Sequence, residues 1–229
     1  MAVEFHEMLL NVEYAPGSQG GPSFANGLLG APSRVIQVSS NSLKDLWKGG
    51  IDFSLLRDDQ LERLYSFFLC RGGNRCGFRL LPPKFNQAKN SLLAATLVDV
   101  ASLKLYAEWT DGFYTYRKRI VKPAWGASVL TLNGEYVGHN NEAGVYQRPV
   151  FGGVSWGEIE PALVVNLDYT AGIITPVGGT LPAGEWRWSG EIHLPVIFTS
   201  GDFEGRYDVS SQWGNIGIQE LLPKSLGLS

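Results

Sequence analysis

Residues 61–80 read "LERLYSFFLCRGGNRCGFRL". The two halves of this stretch obey different periods. Leu61, Leu64, Phe67 and Phe68 fall at i, i+3, i+6 and i+7, which is one helical face. Asp59 and Glu62 have capping-box spacing, with Asp standing where Ser or Thr is usual. Gly72 and Gly73 tolerate left-handed backbone, the common way for a helix to stop. The pattern predicts a helix over 59–71. After Gly73 the period changes to two, so the stretch is a corner where a helix becomes a strand.

The same corner holds both cysteines of the chain, Cys70 and Cys76. Structural zinc is bound by four ligands, commonly with paired C-x-x-C or H-x₃-H spacing. Here the spacing is C-x₅-C, and His6, His139 and His193 lie far away in sequence. The expectation is therefore two small packing residues, with no metal and no required disulfide. "RGGNRCG" at 71–77 matches neither G-x-x-x-x-G-K-[ST] nor G-x-G-x-x-G. It also follows a helix, whereas a phosphate-binding loop precedes one.

Moving outward, the chain reads as strands and turns. Residues 2–12, 34–40 and 50–56 read as strands, and 14–33, "YAPGSQGGPSFANGLLGAPS", reads as a long loop. In 102–110 Leu103, Leu105, Ala107 and Trp109 share one face, and Asp111–Gly112 turns the chain into 113–121. Asn133–Gly134 turns a second hairpin inside 129–137, and 164–175 turns near Gly172. In 186–198 the residues Trp186, Trp188, Ile192, Leu194, Val196 and Phe198 are all even-numbered. Arg187, Ser189, Glu191 and His193 are odd, which predicts one buried and one wet face. Ile216, Ile218 and Leu222 alternate again, with Glu220 among them. The fold class expected is mainly β with one flanking α-helix.

Totals agree with that class. The 229 residues are 12% aromatic and only 18% charged, with 28 Gly and 12 Pro, a composition rich in turns and poor in solvated helix. A net charge of −3 argues against a dedicated nucleic-acid binder, which would carry a basic face. The start, "MAVEFHEMLL", has Glu4 and Glu7 and lacks the basic opening of a signal peptide. Leu92–Val98 stops at Asp99, short of the roughly 20 apolar residues of a membrane helix. These features predict a protein made in cytosol-like conditions.

Catalytic patterns are weak. Glu158 and Glu160 beside Trp156 could serve a glycosidase only if both carboxylates faced one sugar. A solvated strand face explains them as well. Asp168–Tyr169 reads as turn chemistry, and no G-x-S-x-G occurs. Of seven tryptophans, Trp109, Trp186 and Trp188 lie on apolar faces, while Trp47, Trp125, Trp156 and Trp213 stay open. Arg117, Lys118 and Arg119 form a small basic run with ordinary solvation as its reading. No catalytic, cofactor-binding or metal residue is assigned.

Several phrases occur together in order. They are "FHE" (5–7), "GGPSF" (20–24), "GGIDFSLL" (49–56), "LERLYSFFLCRGG" (61–73) and "GFRL" (77–80). "RIVKPAWG" (119–126), "LNGEYV" (132–137), "LDYTAGIITP" (167–176), "PAGEWRWSGEIHLPVIF" (182–198) and "FEGRYDVSS" (203–211) follow. In this order the chain resembles the distal tail proteins of long-tailed bacteriophages, in the branch shared with gene transfer agents. It departs from that pattern in "LLPPKFNQAKNS" (80–91), at Ile197 and in a long stretch at 138–161.

The resemblance implies a non-enzymatic virion component that works without a cofactor. It implies a tail-tube-like β-sandwich or split barrel made by residues 1–120 and 191–229, with an inserted β-hairpin module at 121–190. It implies a ring, usually a hexamer, at the distal end of the tail, assembled in the bacterial host cytoplasm. The ring joins the tail tube protein to the hub or baseplate, near the tape measure protein, and leaves a lumen for DNA. It also makes the 14–33 loop a candidate contact between subunits or with the tube. An alternative from another class is a carbohydrate-binding β-sandwich, with Trp125, Trp156 or Trp213 exposed in a groove.

Overall fold

The computed structural model describes residues 3–10, 19–23, 26–30, 36–40, 46–52, 56–82, 86–94, 101–140, 146–147, 150–151, 154–155, 163–203, 206–208, 211–213 and 215–228. The protein is mainly β. Asp58–Cys70 is the one α-helix among the described residues. None of their helices is long and apolar enough to cross a membrane. The chain divides into two compact units, Met1–Leu80 with Pro195–Ser229, and Leu81–Leu194.

The first unit is built on a six-stranded sheet. Its strand order is Glu4–Leu9, Cys76–Leu80, Leu194–Phe198, Asn215–Glu220, Leu46–Asp52 and Gln19–Ser23. The first two strands run parallel, with Glu4 opposite Cys76 and Phe5 opposite Gly77. Helix Asp58–Cys70 buries Leu61, Leu64 and Phe68, while Phe67 is half-buried. The Phe67 and Phe78 rings meet edge-on at 5.0 Å, and Phe78 lies 4.6 Å from Phe198. Phe68 reaches Phe198 at 5.1 Å and Phe203 at 5.3 Å. The four phenylalanines Phe67, Phe68, Phe78 and Phe198 thus pack helix against sheet.

The helix ends differ slightly from expectation. The N-cap is Arg57, whose backbone N–H donates to the Gln60 side chain at 3.2 Å, so the capping pair lies two residues before Asp59 and Glu62. Asp58 and Asp59 occupy the first turn, where the helix dipole favours negative charge. At the other end Gly72 and Gly73 both have φ of +63°. The Gly73 N–H donates to the Phe68 carbonyl at 3.1 Å.

These two glycines give a paired prediction. A Cβ on Gly73 would stand 2.9 Å from the Gly201 carbonyl oxygen, whereas on Gly72 it would meet only the Arg75 side chain at 3.5 Å. The left-handed backbone costs an L-residue about 1–2 kcal/mol at either position. Gly73→Ala carries the backbone collision in addition and is expected to cost roughly 2–3 kcal/mol. Urea denaturation of both variants measures the difference; equal losses would show that the Gly201 approach is not felt.

Two strand expectations are corrected in this unit. Residues 14–33 are not a plain loop, because Gln19–Ser23 pairs with Leu46–Asp52 and Asn26–Gly30 pairs with Ile36–Ser40. Pro22 is tolerated because Gln19–Ser23 is the edge strand of its sheet. Gly20 has a packing reason: a Cβ there would collide with the Trp47 ring. The strand expected at 50–56 is Leu46–Asp52, and residues 53–55 lie outside the described ones.

The second unit carries an eight-stranded sheet. Its order is Gln87–Ala94, Trp186–Ile192, Pro123–Leu132, Glu135–Asn140, Val164–Asp168, Ile173–Pro176 and Leu103–Lys104, with Tyr146–Gln147 beside Glu135–Asn140. The hairpins turn where the sequence places them. Asn133 and Gly134 have φ of +50° and +86°. At the other turn the Asp168 carboxylate accepts the Thr170 and Ala171 N–H groups at 2.7 and 3.1 Å. Gly172 there is required by contact as well as by its φ of +61°, because a Cβ would run into the Ile120 carbonyl.

The resemblance implies a module at 121–190; the two compact units change at 80/81 and 194/195. The reason is pairing. Gln87–Ala94 bonds to Trp186–Ile192, and Leu103–Lys104 bonds to Ile173–Ile174, so both belong with the second sheet. His193 is corrected too. Parity puts it on a wet face, but it is 4% exposed, and its N–H donates to the Lys122 carbonyl at 2.9 Å within the second unit.

His139 is fully buried, with Nε2 3.0 Å from the Tyr169 hydroxyl. Burial pushes its pKa down to about 4 from an ordinary 6.5. The unfolded chain therefore takes up a proton before the folded one does. Stability present above pH 6.5 is lost as pH falls toward 4, by up to about 3 kcal/mol. Chemical denaturation across that window should show the slope in the native protein and a flatter one in His139→Gln. Parallel slopes would exclude His139 as its source.

Candidate functional site

Parallel pairing of the first strand with the strand after the corner brings remote residues together. Glu4 sits opposite Cys76, and His6 is two residues along, on the same side as Glu4. The helix end adds Arg71, and the turn adds Arg75. A guanidinium N–H of Arg71 donates to His6 Nδ1. His6 Nε2 lies 3.3 Å from Glu4 Oε1, and Arg75 Nε is 3.9 Å from Glu4 Oε2. Arg71 also lies over the Phe67 ring at 4.9 Å.

The protonation pattern follows from donor chemistry. Arginine has donors only, so His6 Nδ1 must accept. The neutral ring then carries its proton on Nε2 and donates to Glu4. Hydrogen bonds from His6 and from the Cys76 thiol hold the Glu4 carboxyl below its usual range, with Arg75 adding to this. Burial, followed by the Glu4 charge, pushes the Cys76 thiol up. Cys76 is therefore a protonated donor and a poor nucleophile. Arg71, His6, Glu4 and Cys76 form one directional chain that clasps the first strand to the helix corner.

Glu4, His6 and Cys76 are the one group of three potential metal ligands found among the described residues, with donor atoms within 4.8 Å of one another. The tautomer speaks against a metal ion. Coordination through Nε2 needs the proton on Nδ1, where the Arg71 guanidinium offers no acceptor. Two neighbouring guanidinium groups also repel a cation. Added Zn²⁺ is expected to leave the thermal midpoint unchanged, and a rise of several degrees would overturn the clasp. Sequence reasoning missed this cluster, since no signal along the chain links residues 4–6 to 76.

The cysteines separate in role. Cys76 is buried, as a packing residue should be, whereas Cys70 is exposed on the helix. They are free thiols. Trp186 and Trp188 are fully buried, while Trp109 is half-buried and tilted against Tyr116 at 6.1 Å. Trp47 is half-buried, and its backbone N–H donates to Glu220 at 2.8 Å. Trp156, Glu158 and Glu160 lie outside the described residues, as do the side chains of Trp125 and Trp213.

The basic run lies on a two-stranded ribbon, Tyr106–Thr110 with Thr115–Arg119. Arg117 pairs with Glu108 at 2.9 Å. Together they hold both backbone groups of Leu92: Glu108 accepts its N–H at 3.0 Å, and Arg117 donates to its carbonyl at 2.5 Å. The tip, Asp111–Tyr114, presents Phe113 at 92% and Tyr114 at 82% exposure. Asp111 Oδ1 accepts both of their N–H groups, at 2.9 and 2.8 Å. Those backbone bonds hold the Asp111 carboxyl below its usual range. The available signal was "DGFY", two large aromatics placed directly after a turn. A search of protein-family profiles finds no match to this chain, and a search of curated proteins finds none either.

Proposed function

We propose that the chain is a structural virion protein, a distal tail ring that joins a tail tube to the hub or baseplate and leaves a lumen for DNA. The observation that supports this best is the division of the chain. The first strand, the helix corner and the terminal strands make one unit, and Leu81–Leu194 is inserted into it. A tube-like ring domain carrying an outward module needs that arrangement. Both ionisable clusters described above serve packing: the corner chain clasps a strand, and the Glu108–Arg117 pair buttresses a ribbon. The net charge of −3 suits a lumen that DNA crosses without being held, since phosphate contacts from Lys and Arg dominate such binding.

On this reading the protein is not an enzyme. It assembles with copies of itself as a hexamer, with the tube on one side and the hub on the other. Immunogold labelling of purified particles tests the assignment. Gold confined to the tail tip is the expected result, and gold on the capsid, along the tube or absent from particles overturns it. Negative-stain images of the protein alone should show annular particles with a central hole.

A further inference from the structure

We propose that Asn133–Gly134 is a site of spontaneous deamidation, restrained in the folded protein by Glu185, and that its conversion unfastens the hairpin from the Glu185 segment for good. The chemistry consumes only water and holds whatever the chain assembles with.

Asn–Gly occurs twice in the sequence, at 26–27 and at 133–134. The pair is reactive because glycine brings no Cβ beside its nitrogen and lets backbone and side chain approach closely. The Gly134 nitrogen attacks Cγ of Asn133. An N–Cγ bond forms and the Cγ–Nδ2 bond breaks. Nδ2 leaves as ammonia, carrying the proton that the Gly134 nitrogen gives up. The cyclic imide that remains is opened by water at either carbonyl. Opening at Cγ gives aspartate. Opening at the α-carbonyl gives isoaspartate, in which the main chain runs through Cβ and Cγ.

The turn places this pair where water reaches it. Asn133 and Gly134 are exposed and have φ of +50° and +86°. Their flanks, Leu132 and Glu135, stand opposite each other. Asn133 also holds a second segment. Its N–H donates to the Glu185 carbonyl at 2.9 Å, and its Oδ1 accepts the Glu185 N–H at 2.9 Å. Leu132 is opposite Trp186 in the adjoining ladder, so the side-chain amide supplies its last rung. Gly184 packs tightly there: a Cβ would come within 2.8 Å of Asn133 Oδ1 and 2.9 Å of Nδ2.

Attack requires the Asn133 side chain and the peptide plane after it to rotate. The two bonds to Glu185 restrain backbone and side chain together, so conversion waits for the 184–185 segment to open locally. The isoaspartyl product cannot close again in the same way. Its main chain is one atom longer between Leu132 and Glu135, and the amide of the last rung is gone. Aspartate differs, because a carboxylate oxygen still accepts the Glu185 N–H.

The test uses full-length protein at mildly alkaline pH, folded or in guanidinium chloride. Peptide mapping separates the aspartyl and isoaspartyl forms. In denaturant Asn133 should convert alongside Asn26. In the folded protein Asn133 should convert more slowly by about tenfold or more, as a reaction gated by local opening does. Folded Gly184→Ala should convert faster than the folded parent, because its Cβ displaces the amide. Hydrogen exchange at the Glu185 N–H should lose protection in the isoaspartyl form and keep it in Asn133→Asp. No conversion of Asn133 in denaturant overturns the site. Equal rates in the folded and unfolded chain overturn the restraint, and a protected Glu185 N–H in the isoaspartyl form overturns the unfastening. The comparison of folded with unfolded chain uses the parent sequence, so it decides the matter even where Gly184→Ala fails to fold.

Discussion

Glu7→Ala should destabilise the first unit by about 3–5 kcal/mol, the usual result of removing one member of a buried ion pair. The other member is Arg79, which is completely buried, with its Nε donating to Glu7 Oε2 at 2.6 Å. Arg79 lies in the Cys76–Leu80 strand, between the first strand and Leu194–Phe198. Gly77 is on the same side of that strand, and a Cβ there would touch Phe5 and Leu221. The Glu7 side chain is 35% exposed, so water offsets part of the loss and the lower end of the range is expected.

The control is replacement of both partners. Glu7→Leu with Arg79→Met removes the charge and keeps the volume, so it should cost far less than Glu7→Ala alone. Urea denaturation of the single and double variants measures this. A loss below about 1 kcal/mol for Glu7→Ala would place the pair with ordinary surface ion pairs.

Local periodicity made some of this fold legible, and remote pairing hid the rest. The helix could be read because Leu61, Leu64 and Phe68 repeat at its own period within one stretch. The Asn133–Gly134 turn could be read because two adjacent residues tolerate positive φ. Gln19–Ser23 could not, since its Gly and Pro content resembles a loop and its partner is Leu46–Asp52. The clasp could not, because a parallel pair between Glu4–Leu9 and Cys76–Leu80 leaves no trace at either site alone. The resemblance starts the inserted module at 121. Gln87–Ala94 joins that part through hydrogen bonds to residues nearly a hundred positions later. At the ribbon tip the sequence places the turn at Asp111–Gly112 and the returning strand at 113–121, but that strand begins at Thr115, which leaves Phe113 and Tyr114 in the tip. Only exposure showed that its two rings lack cover from the described residues.

Trp188→Ala is expected to cost the second unit about 3–5 kcal/mol, as for other large buried aromatics. Trp188 is fully buried in the strand Trp186–Ile192, whose odd residues are half-exposed. It stands opposite Leu130 on one side and Ser91 on the other, so its removal opens a void in the middle of the sheet face. Trp186 is equally buried but differs in one respect. Its indole N–H donates to the Pro182 carbonyl at 3.1 Å, whereas the Trp188 Nε1 makes no hydrogen bond among the described residues. Phenylalanine separates the two. Trp188→Phe removes a buried donor that has no acceptor, and this offsets part of the lost packing. Trp186→Phe loses a satisfied bond and leaves the Pro182 carbonyl to find another donor, so it should cost about 1 kcal/mol more than Trp188→Phe. Hydrogen exchange can assign the losses to residues 81–194. If Trp188→Phe proves the more damaging of the two, the orphaned indole has a partner in solution, and the strand's inner face is more polar than its sequence parity implies.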